Sequence, residues 1–93
     1  MLLKVYTIFD VKALQYHTPF FQHTDGAAVR VLTDVVNDSQ TTIGRHPGDY
    51  KLYMIGTYDD STGTLMSVSP HNHVVDAVAL VKIQGSFFET SAE

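Results

Sequence analysis

Residues 50–69, "YKLYMIGTYDDSTGTLMSVS", carry the reading that decides the fold. From Tyr50 the chain alternates, which assigns Leu52, Met54 and Tyr58 to one face and Lys51, Tyr53, Ile55 and Thr57 to the other, the period of a strand. "DDSTG", residues 59–63, supplies a turn: Asp, Ser and Thr side chains bond to nearby backbone, and Gly63 is the natural site for a positive φ. "TLMSVS" runs back as the partner, so the stretch reads as an antiparallel hairpin. Gly56, inside the first strand, marks a bulge or the close approach of another backbone.

Upstream, "LKVYTIFD" at 3–10 is rich in β-branched and aromatic residues, with Leu3, Val5, Thr7 and Phe9 on one face and Tyr6 and Ile8 on the other. Both faces have something to bury, as in an interior strand. Residues 11–26 read as a connection broken by Pro19 and pinned by Phe20 and Phe21. Thr24 or Asp25 then offers a capping oxygen, and Ala28, Val31, Leu32 and Val35 follow at helical spacing. The helix ends near Asn37 or Asp38, and Arg30 and Asp34 stand four apart as a surface pair worth about 0.3 kcal/mol. Residues 39–50 read as loop, "PHNH" at 70–73 as an interruption, and residues 78–84 as a further strand by their Val and Ile content. The expected fold class is α+β: a small antiparallel sheet of three to four strands with one amphipathic helix packed on it. Residues 1–84 would form a single domain, and 85–93 a mobile, polar tail carrying Phe87 and Phe88.

Ninety-three residues suit one modest core, and a hydrophobic fraction of 44% against 17% charged places the chain among folded domains rather than disordered ones. There is no cysteine, which excludes disulfides and thiolate metal sites. No apolar run approaches the roughly 20 residues that cross a bilayer, and the start lacks signal-peptide character, so no membrane partner is expected. The formal charge of -4 argues against a strong sequence-independent grip on nucleic acid. Lys4, Lys12, Arg30, Arg45, Lys51 and Lys82 are the fixed cations from which a local patch could be built.

Five histidines invite a metal reading, but "HNH" at 71–73 lacks a third ligand at any zinc-site spacing and reads as solvated loop. Asp49, Asp59 and Asp60 could hold Mg²⁺ in a nuclease, yet adjacent Asp residues before Ser-Thr-Gly are better explained as turn chemistry. With no phosphate loop and no nucleophile context, neither enzyme activity nor a cofactor or metal is expected. Tyr16, Phe20, Phe21, Tyr50, Tyr53 and Tyr58, interspersed with cations, match the mixture that holds single-stranded DNA.

"PFF" at 19–21, "GAAVR" at 26–30, "VND" at 36–38, "HPGDYKLYMIG" at 46–56 and "DDSTG" at 59–63 together resemble the small nonstructural DNA-binding protein of gokushovirus-type microviruses, tailless phages with circular single-stranded DNA genomes. The resemblance covers about residues 3–68 and weakens beyond Val68. It implies a protein of the bacterial host cytoplasm that binds single-stranded DNA and assists the switch from genome replication to single-strand production and packaging. On that resemblance Arg30, Arg45, His46 and Lys51 are the matched positions suited to phosphate, and Phe21, Tyr50 and Tyr53 are the stacking rings. A homodimer would concentrate the few cations and protect the sheet edges. The alternative is a protein-interaction factor for the viral replication initiator or procapsid, which the acidic balance favours.

Overall fold

Both faces of the first strand are apolar, and the chain places that strand at the centre of its sheet. The computed structural model describes residues 1–82. Strand β1 (Leu2–Asp10) is followed by two short strands, β2 (Gln15–Tyr16) and β3 (Phe20–Gln22), then helix α1 (Asp25–Val36) and a single turn of helix, α2 (Thr42–Arg45). A 3-10 turn (Pro47–Asp49) leads into β4 (Tyr50–Asp59), β5 (Thr64–Asp76) and a second 3-10 turn (Ala77–Leu80). Every strand pairing is antiparallel: β4 lines one side of β1, β2 and β3 share its other side, and β5 lies outside β4. This is the expected α+β fold, with five strands where three to four were read.

One face of the sheet is closed by α1. Tyr6, Leu52 and Tyr50 from the strands meet Ala28, Leu32 and Val36 from the helix, with Ile43 and Ala77 completing the core. Fully burying a leucine contributes about 1.5–3 kcal/mol, so Leu32 and Leu52 are main supports of the packing. Thr24 caps the helix, its Oγ1 accepting from the Ala27 N–H at 3.1 Å. The Tyr6 hydroxyl donates to Asp25 Oδ1 at 2.6 Å, tying the first turn of α1 to β1. Burial first, and that carboxylate second, push the Tyr6 hydroxyl far above the ordinary tyrosine range. Val31, read on the apolar stripe of the helix, is 39% exposed, because the buried stripe is centred on Ala28, Leu32 and Val36. Among the described residues Arg30 and Asp34 form no ion pair.

The hairpin forms with its bulge. Val5 pairs with Gly56 and Tyr6 with Met54, leaving Ile55 unpaired, so every later residue of β4 changes face. Tyr58 therefore lies opposite Leu3, on the face away from Leu52 and Met54, which corrects the simple alternation. The segment read as a connection holds β2 and β3, one on either side of Pro19. The segment read as loop before Tyr50 holds α2 and a 3-10 turn. "PHNH" does not end a strand: β5 continues through it to Asp76, absorbing the misfit as register shifts. The strand expected at 78–84 is instead the Ala77–Leu80 turn, because β4 begins at Tyr50 and offers no ladder beyond the Lys51–Asp76 pair. The end of the expected strand and the expected tail, residues 83–93, lie outside the described residues.

Candidate nucleic-acid interface

Because α1 covers only one face, the side chains that alternate with the core project from the other. Phe9 stands opposite Tyr16 of β2 on one side and Lys51 of β4 on the other, while Tyr53 stands opposite Thr7 and His73. The Phe9 and Tyr16 rings lie 4.6 Å apart, and Tyr53 meets them edge-on at 6.5 and 6.4 Å. His71 packs on Tyr16 at 5.7 Å and His73 on Tyr53 at 5.5 Å, so five rings from four strands form one cluster. Tyr16 is 47% exposed, an open ring beside the exposed His71 and His73. The β1–β2 turn is held by Asp10, whose Oδ1 accepts the Lys12 and Ala13 N–H groups at 2.9 and 3.0 Å, and Lys12 is exposed in that turn.

Lys51 borders the cluster, with its Nζ 3.0 Å from Asp76 Oδ1. His73 Nε2 approaches the same oxygen at 2.7 Å. The His73 contact first and Lys51 second hold the Asp76 carboxyl below the usual carboxylate range. A bound phosphate would have to compete with Asp76 for Lys51. Farther along this face an open groove of about 350 Å³ is lined by Val5, Pro19, Phe21, Ile55, Gly56 and Leu65.

The seven residues expected to touch DNA do not share one surface. Lys51, Tyr53 and Phe21 lie on the open face, with Phe21 beside Tyr58 at 5.7 Å and apart from the aromatic cluster. Arg30 is exposed on α1, and Arg45 and His46 are exposed at the end of α2, where Arg45 Nη1 donates to the Ser39 carbonyl at 3.4 Å. Tyr50 is 5% exposed within the core, so its ring face is not offered to a ligand. Burial first, then Asp10, raise its hydroxyl above the ordinary tyrosine range.

Asp49 and Asp59 stand at opposite ends of the ten-residue β4, about 30 Å apart at a strand's rise per residue, too far to share a cation. Asp59 is occupied by the turn, its Oδ1 accepting from the Ser61 N–H and hydroxyl at 2.9 and 2.8 Å, while Gly63 takes φ +72°. No group of three or more His or acidic side chains among the described residues could hold a metal ion. Nor is any helix there long and apolar enough to cross a membrane.

Phe9 was not singled out as a binding residue by the sequence, and His71 and His73 were weighed only as metal ligands and read as solvated loop, not as part of a nucleic-acid surface. Phe9 was legible as the sheet-facing partner of Val5 and Thr7, and the i, i+2 spacing of His71 and His73 puts them on one face once the segment is a strand. What hid them was the Pro70 interruption, which suggests a loop. Residues 3–80 match the family model described as "Phage ORF5 protein". Neither a curated protein nor a solved structure matches the chain significantly.

Proposed function

Since the chain belongs to the phage ORF5 protein family, we propose that it is a non-enzymatic protein that binds single-stranded DNA on the open face of its sheet. The observation that carries this reading is the cluster of Phe9, Tyr16, Tyr53, His71 and His73 on the face that α1 leaves uncovered. Bases stack on such rings with little regard to sequence, each worth about 1–3 kcal/mol, and a sheet presents several rings at once. On this reading Lys51, released from Asp76, and Lys12 meet the intervening phosphates. The acidic chain then needs no broad basic surface, since stacking supplies most of the affinity. The role that fits is that of a gokushovirus-type microviral protein in the host cytoplasm, coating or handing over single strands as replication gives way to packaging. Its working form on this reading is a homodimer.

Anisotropy of a labelled oligothymidine at several salt concentrations tests the proposal. With about two phosphate contacts per chain, log affinity should fall with log salt at a shallow slope of about −1 to −2. Tyr16→Ala and Tyr53→Ala should each weaken binding by about 5- to 160-fold, the loss of one stacked base, while Arg30→Ala leaves it unchanged. Absence of binding at low salt would overturn the proposal in favour of a factor that recognises the replication initiator or the procapsid, the reading that the net charge of -4 favours.

A further inference from the structure

The two edges of the sheet are unlike. On the far side of β1 the edge is broken into β2 and β3, two and three residues long, separated by Pro19, a pattern that discourages strand addition. The opposite edge is β5, thirteen residues long and paired, among the described residues, with β4 alone. Its second half carries Pro70, His71, His73 and Asp76 and the register shifts. Its first half pairs regularly from Asp59–Thr64 to Gly56–Ser67 and contains no charge and no proline through Ser69. Leu65 and Met66, on opposite faces of that segment, are 64% and 62% exposed. A regular, neutral stretch of edge, in register from Thr64 to Ser67 and flanked by exposed apolar side chains, is the kind of edge that pairs with another strand.

We propose that a second copy of this chain pairs antiparallel with β5 along Thr64–Val68. The unlike edges select that occupant: pairing β5 with its own copy closes the long edge of both chains at once and, among the described residues, leaves only the interrupted β2–β3 edges. Each copy carries a net -4, so the seam is placed where β5 itself carries no charge. Antiparallel pairing also brings the hairpin loop of one copy, with Asp59 and Asp60, towards the His71–His73 end of the other. The two-fold axis stands perpendicular to the sheet, so like faces come together. Both α1 helices then lie on one side, and both aromatic clusters on the other, as one continuous track. This inference rests on the homodimer reading above and is independent of DNA binding.

Light scattering coupled to gel filtration should return twice the 10.3 kDa chain mass for the protein. Met66→Lys should halve that mass while its circular dichroism stays native, and Met66→Leu should leave the dimer intact. Since the chain has no cysteine, single-cysteine variants at Leu65, Met66 and Ser67 provide a second measurement that does not depend on how Met66→Lys folds. At least one should form a disulfide-linked dimer under mild oxidation, and Gln22→Cys, on the opposite edge, should not. A monomeric wild-type protein at its highest soluble concentration overturns both the homodimer reading and this one. A dimer that survives Met66→Lys, or cross-links through Gln22→Cys and not through β5, overturns the β5 assignment alone.

Discussion

Gly56 sits where β4 gains its extra residue, and a Cβ built there runs into the Met66 carbonyl oxygen of β5. Gly56→Ala must therefore push two paired strands apart, at a cost of about 1–3 kcal/mol, typical of overpacking. The urea midpoint should fall with the slope unchanged. Gly48 is the control, since nothing lies within 4 Å of its Cβ position and its φ is not positive, so Gly48→Ala should leave the midpoint in place. The glycine was legible as a bulge or a close approach, and it is both. Its consequence for Tyr58 was not, because which residue is skipped depends on how β1 and β4 fit. Skipping Ile55 turns Tyr58 to the open face, where it packs on Phe21.

Helix α1 was the element most plainly written in the chain, and its cap and its Ala28–Leu32 spacing form as read. What it docks against at its C-terminus was not visible. Asn37 donates from Nδ2 to the carbonyls of Thr33 and Leu80 at 2.8 and 3.0 Å, and its Oδ1 accepts the Lys82 N–H at 2.9 Å. One side chain thus terminates the helix and fastens the chain that leaves the sheet more than forty residues later. Asn37→Ala should cost about 1–2 kcal/mol, and exchange of the Lys82 amide should speed up more than that of amides within β1. Asn37→Asp keeps the acceptor for Lys82 but sets a carboxylate oxygen against the Thr33 and Leu80 carbonyls at the negative end of the helix dipole, so it should cost at least as much as Asn37→Ala. The segment after Asp76 was misread for a related reason: its Val and Ile content suits a strand, but a strand needs a partner, and β4 has already begun.

Across the whole molecule, the two tyrosines of the core make stability fall at alkaline pH. Tyr6 and Tyr50 are both held protonated above the ordinary value of 10.0, chiefly by burial, whereas the unfolded chain releases these protons near that value. Above about pH 10 the unfolded state binds fewer protons than the native one, so unfolding free energy falls as pH rises, and below that pH these groups leave it flat. Denaturation curves from pH 8 to 11 should show that decline, and Tyr6→Phe should make it shallower while removing the Asp25 hydrogen bond. The local order of side chains by itself determined the class of fold, the hairpin, the capped helix and the turn at Asp59–Gly63, because alternation, helical period and turn chemistry act between near neighbours. It also indicated aromatic residues among cations. The tertiary structure decided which rings meet, burying Tyr50, sending Arg30 and Arg45 elsewhere, and gathering Phe9, Tyr16, Tyr53, His71 and His73 from four strands. Strand register makes that choice, and register is set by how a bulge, an interrupted edge and a helix close over a single core.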